Sequence, residues 1–96
     1  MSAPQRPPSF PDADEGLLDE GHGEALDLLR RCATVDGFVA TPVERTNYNR
    51  VWSRDGCIAG LAALRTRERD LVHATRATLL TLAKHAGPHG EIPSNV

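Results

Sequence analysis

Residues 68–85, ERDLVHATRATLLTLAKH, carry the strongest structural signal in this 96-residue chain. Leu71, Ala74, Thr78, Leu79 and Leu82 recur at helical spacing and line one face, which predicts a helix from Glu68 to His85. Thr66 is placed to cap its start. Lys84 and His85 close its last turn, and Gly87-Pro88 stops it. Ala77 and Leu80 add a second apolar surface away from the main stripe, which predicts packing on both sides of the helix. Upstream, Ser53 reads as the N-cap of a helix running through Ile58, Leu61, Ala62 and Leu64, with Asp55 in its first turn. A third helix is expected at roughly 23–33. There Ala25, Leu26, Leu28, Leu29 and Cys32 form a stripe, with Glu24 and Asp27 early and Arg30 and Arg31 late, as the helix dipole favours. Asp36-Gly37 then makes a turn, and Phe38–Thr41 reads as a short extended segment stopped by Pro42.

The ends read differently. Residues 1–12 hold four prolines and little that is apolar beyond Phe10, so they read as a flexible arm. Residues 13–23 are acidic and interrupted by Gly16, Gly21 and Gly23. A continuous helix is not expected there, because each interior glycine costs about 1 kcal/mol. The domain boundary therefore falls between an acidic leader, 1–22, and a body, 23–96. The tail from His89 to Val96 reads as a loop without a terminating element. Three helices and one short extended segment make the class all-α.

Composition narrows the partners. Hydrophobic residues are 40% and charged residues 25%, ordinary for a globular protein. No apolar run approaches the ~20 residues of a membrane helix, and the N-terminus lacks a signal-peptide layout. Two cysteines, Cys32 and Cys57, cannot build a disulfide framework and suit a reducing, cytoplasmic compartment. Net charge is -2, unevenly spread. Residues 1–29 hold seven acids and one base, whereas residues 30–85 hold ten bases and five acids. Leader and body could be self-complementary, or each could serve a partner. The bases are interleaved with acids and spread over every helix, so no nucleic-acid patch is read.

Three places could carry chemistry. In Tyr48-Asn49-Arg50-Val51-Trp52-Ser53-Arg54-Asp55, the only Trp and the only Tyr stand among directed donors and acceptors. That mixture suits a polyhydroxylated ligand: a sugar's apolar face rests on an aromatic ring, and charged groups grip its hydroxyls. The competing structural reading makes Trp52 a core anchor, Ser53 a cap and Asp55 an answer to the helix dipole. On residue chemistry alone that reading leads. The histidines give no metal spacing, because Gly87-Pro88 separates His85 from His89 and keeps them off a shared helix face. Cys57, just past Gly56 in a first turn, could be a dipole-activated thiol. Nothing fixes a His beside it, so it reads as a small core residue.

The stretch Asn47–Asp55, followed by a small-residue apolar helix, a second helix and Gly90-Glu91-Ile92-Pro93, resembles the start of an (α/α)6-barrel glycoside hydrolase. Its Tyr-x-x-Val-Trp-x-Arg-Asp pattern is similar to those of glucoamylases, bacterial amylo-α-1,6-glucosidase (glycogen-debranching-like) proteins and neutral/alkaline invertases. The resemblance covers about residues 24–96. It implies that Arg54 and Asp55 hold hydroxyls of the sugar beside the scissile bond, with Trp52 and Tyr48 shaping the pocket. It implies a carbohydrate substrate and no metal or organic cofactor. The catalytic carboxylates of these families lie further along the chain, and Glu68, Asp70 and Glu91 are the ones this chain could offer. A barrel of twelve helices needs far more than 96 residues, so the chain reads as an N-terminal portion whose inner helix exposes an apolar face. The alternative is a stand-alone three-helix module whose acidic leader docks a basic partner.

Overall fold

A computed structural model describes residues 12–44 and 48–96. Helix α1 spans Asp12–Cys32, strands β1 and β2 span Ala33–Thr34 and Gly37–Phe38, and helices α2 and α3 span Ser53–Thr66 and Arg69–Lys84. The two strands form an antiparallel hairpin in which Ala33 faces Phe38 and Thr34 faces Gly37. The chain is thus mostly helical, with one short hairpin. Asn47 of the quoted motif, and the prolines of the leader, lie outside the described residues.

Helix α3 is the spine. Leu71, Ala74, Thr75, Thr78 and Leu82 are buried along it. Leu79, expected on the same face, is 55% exposed, because it stands one residue and about 100° beyond Thr78. Two buried threonines are tolerated because their hydroxyls are satisfied within the helix. Thr75 Oγ1 donates to the Leu71 carbonyl at 2.9 Å and Thr78 Oγ1 to the Ala74 carbonyl at 2.8 Å. Glu68, not Thr66, is the N-cap residue, and it makes no side-chain cap bond. Thr66 serves the turn instead, accepting from the Glu68 amide at 3.1 Å and donating to the Ala63 carbonyl at 2.6 Å.

Helix α2 meets α3 through its small residues. Gly56, Gly60 and Ala63 are buried. A β-carbon on Gly56 would stand 2.6 Å from Thr78 Cγ2, and one on Gly60 would stand 2.9 Å from Thr75 Cγ2. The larger apolar residues consequently point outward: Ile58 is 62%, Leu61 69% and Leu64 50% exposed. Cys57 is also exposed rather than a core residue, whereas Cys32 is buried. Trp52, in extended conformation, is the N-cap residue of α2, and Ser53 is its first helical residue.

The hairpin seals the other side of α3. Phe38 is buried with Cys32, Ala63, Leu71 and Ala74, and Leu29, Ala33, Val39 and Ala59 pack against them. Its amide donates to Thr78 Oγ1 at 2.9 Å, and Thr81 Oγ1 donates to the Asp36 carbonyl at 2.6 Å. The single Thr78 hydroxyl therefore joins hairpin and helix at the point where Gly56 and Gly37 come closest.

Helix α1 begins at Asp12, not near residue 23, so residues 12–22 belong to a helix rather than to the leader. Nucleation is the costly step in helix formation, and propagation from the packed turns at Leu29 and Cys32 is cheap enough to cross three glycines. Gly16, Gly21 and Gly23 have nothing within 4 Å of where a β-carbon would be, so this stretch stands free of the body. The last turn is tied down. Arg30 Nε donates to Glu68 Oε2 at 2.9 Å and its Nη2 meets Oε1, which holds the Glu68 carboxyl below its usual range.

The tail, read as a loop, carries no helix or strand but is tied down by backbone pairing. Val51 and Val96 exchange amide–carbonyl hydrogen bonds at 2.9 Å in both directions, and the Ser53 amide donates to the Ser94 carbonyl at 2.9 Å. Trp52 and Asn95 form the resulting antiparallel bridge. No helix among the described residues is long and apolar enough to cross a membrane.

Candidate functional site

The four residues singled out from the sequence lie on the loop that leads into α2 and on its first turn. Val51, buried, anchors the approach, and its exchange with Val96 fixes the backbone just before Trp52. Arg50 adds a second tie, donating from Nη1 to Asn95 Oδ1 at 3.0 Å. Trp52 is half-buried where the chain turns from extended to helical. Arg54 and Asp55 follow in the first turn and are exposed. One residue of helix separates them by about 100°, so they fan out from the helix end rather than stacking.

Tyr48 sits on the loop before them. Its carbonyl accepts from the Ala40 amide at 2.9 Å, and its side chain is 54% exposed. Asn49 clamps the same loop, donating from Nδ2 to the Val43 carbonyl at 2.8 Å. The backbone that carries these groups is held by the tail and by the 40–43 loop. Asp55 answers the positive end of the helix dipole, and in doing so keeps its carboxylate at the surface.

Two grooves among the described residues are not lined by these four side chains. One, of about 870 Å³, runs between the end of α1, the hairpin and α3, with Arg30, Asp36, His73, Arg76 and Leu80 among its walls. The other, of about 560 Å³, lies where α1 and α3 end, against Arg31, Asn49, Val51, Lys84 and His85. Sequence reading missed both grooves. The clue available was that Arg31, Lys84 and His85 are helix-end cations, which the dipole alone explains.

The carboxylates divide by their partners. Glu68 is committed to Arg30, and a carboxyl held ionised by a guanidinium is unsuited to donate a proton. Asp70 is exposed in the first turn of α3. Glu91 lies in the turn after α3, where its carbonyl accepts from the Gly87 amide at 2.8 Å and its carboxylate accepts from the His89 amide at 3.4 Å. His85 Nδ1 is 2.9 Å from the Thr81 carbonyl, and no group of three or more potential metal ligands gathers among the described residues. Burial raises the Cys32 thiol pKa and keeps that sulfur protonated and inert.

Comparison with protein-family models, with curated proteins and with solved structures found no match to this chain.

Proposed function

We propose that this chain supplies the sugar-binding turn of a cytoplasmic glycoside hydrolase acting on α-glucosidic or sucrose-like bonds, as the N-terminal part of an (α/α)6 barrel. The observation that carries the reading is the arrangement at the start of α2. Tyr48 and Trp52 offer aromatic surface in the same stretch of chain as the exposed Arg54 and Asp55, on a backbone pinned by Val96 and Ser94. A saccharide needs a flat apolar rest and charged hydrogen-bonding partners for its hydroxyls, and both stand at this helix end. Three helices, one of them presenting Ile58, Leu61 and Leu64 to solvent, suit a segment that packs against further barrel helices.

Arg54 and Asp55 bind in this reading, and the catalytic pair comes from elsewhere. Glycoside hydrolysis requires two carboxyl groups across one bond, about 5–5.5 Å apart for retention and about 6.5–9.5 Å for inversion. Glu68 is bound to Arg30, and Glu91 lies in a separate turn, so the 96-residue chain alone is expected to be inactive. In the enzyme that contains this segment, Asp55→Asn should lower kcat/KM on malto-oligosaccharide or sucrose by roughly 10- to 100-fold, the worth of a hydrogen bond to a charged group. Near-normal turnover would remove Asp55 from the site.

One observation favours a second reading, an interaction module. The acidic half of α1 stands away from the body with Leu17 and Leu18 uncovered, as a docking element does.

A further inference from the structure

Helix α1 is built to be covered, yet this chain leaves most of it bare. Its apolar stripe runs from Leu17 and Leu18 through Gly21 and Ala25 to Leu28, Leu29 and Cys32. Only the last turn of that stripe packs on the body, through Leu29 and Cys32. Leu17 is 66% and Leu18 55% exposed. A helix interrupted by three glycines gains too little from propensity to persist alone in water. The projection shows in the molecule's size: the radius of gyration is 17.4 Å, against about 12–13 Å for a compact chain of this length.

The exposed face of α2 matches that stripe in shape and charge. Arg54, Ile58, Leu61 and Arg65 follow at intervals of four, three and four, so they form one line with a cation at each end and bare apolar side chains between. On α1, Asp14, Leu17, Gly21 and Glu24 follow at intervals of three, four and three. They form a line with an acid at each end, a leucine between, and a glycine where a facing side chain can enter. At 1.5 Å per residue the α2 line is about 16.5 Å long and the α1 line about 15 Å. All eight positions are exposed apart from their own helix backbones, and none of the four charges is committed to another side chain in the described hydrogen bonds and ion pairs. Asp55 lies beside the α2 line, three residues before Ile58, and is the one acid there.

We infer that two copies of this chain pair, each laying the acidic N-terminal half of α1 on the Arg54–Arg65 face of α2 in the other. Reciprocal contacts of this kind close a two-fold dimer and leave neither stripe exposed. A chain cannot do this to itself while α1 is one continuous helix from Asp12 to Cys32, because the half that carries Leu17 points away from its own body. The dimer would cover the Ile58–Leu61 face that the barrel reading gives to further helices and would engage Arg54, so it is a separate account of that face, and association is measured without sugar.

Sedimentation velocity on the 96-residue chain, from about 5 to about 200 µM, tests it at about 50 mM and about 500 mM salt. A monomer–dimer equilibrium is expected that weakens about tenfold or more at high salt. Reversing the acids (Asp14→Lys with Glu24→Lys) should weaken it by a similar factor, and reversing the arginines (Arg54→Glu with Arg65→Glu) should do the same. Combining all four reversals should restore the dimer, with circular dichroism confirming equal helix content throughout. A monomer across the whole range would overturn the inference. So would a dimer that ignores the α1 reversal, which would show that α2 faces pair with each other.

Discussion

Gly37→Ala is expected to abolish cooperative folding of this chain. The residue has φ +126°, a backbone conformation that L side chains rarely adopt, and it lies against Thr78 of α3. A β-carbon there would stand 2.6 Å from the Thr78 Cα and 2.5 Å from its Oγ1. Neither the helix backbone nor the hydroxyl that accepts from the Phe38 amide can give way without breaking the hairpin's attachment. Backbone strain of about 1–3 kcal/mol adds to the steric overlap and the lost hydrogen bond, for a total of roughly 4 kcal/mol or more. For a domain of this size that is most of the available stability. Thermal denaturation followed by circular dichroism reads the result: a broad, non-cooperative loss of signal is expected for the variant. A sharp transition within a few degrees of the parent would show that the hairpin does not sit against Thr78.

Leu71→Ala and Leu79→Ala should differ sharply although both truncate a leucine of the same helix. Leu71 is fully buried among Cys32, Phe38, Ala63 and Ala74, so its removal leaves a cavity and should cost about 3 kcal/mol. Leu79 is more than half exposed, and its truncation should cost under about 0.5 kcal/mol. Urea midpoints at constant m separate the two. Equal losses would mean that α3 is rotated from the orientation described.

That contrast marks how far the sequence could be read. The face of α3 was legible because Leu71, Ala74, Thr78 and Leu82 obey the helical period, and only Leu79, at its margin, was misassigned. Helix α2 was legible as a helix, but the residues it buries were not. Ile58, Leu61 and Leu64 have the apolar letters, yet the buried line is Gly56, Gly60 and Ala63. Close helix approach is made by the absence of side chains, which a hydrophobic pattern does not register. The usable sign was two glycines four residues apart, followed by an alanine.

The rest was hidden for other reasons. Pairing of Val51 with Val96 is a backbone exchange, so it leaves no periodicity in the side chains of residues 89–96. The extension of α1 through Gly16, Gly21 and Gly23 runs against propensity and reflects propagation from a packed end. At the candidate site, the clustering of Tyr48, Trp52, Arg54 and Asp55 follows from adjacency in the chain. The backbone pairing of the tail with residues 51–53 could not be foreseen. Trp52 is half-buried at the helix entrance and stands outside the core set around Leu71.

The central claim is that the entrance to α2 binds a saccharide, and Trp52 offers a direct test because it is the only tryptophan in the chain. Titrating the protein with maltose and with sucrose while following its fluorescence should give a saturable change with at least one of them, with a Kd of about 1–10 mM. Asp55→Asn and Arg54→Gln should each abolish that change at unaltered helix content. A flat response to both sugars up to about 100 mM, or saturation unchanged in the Asp55→Asn variant, would contradict the account.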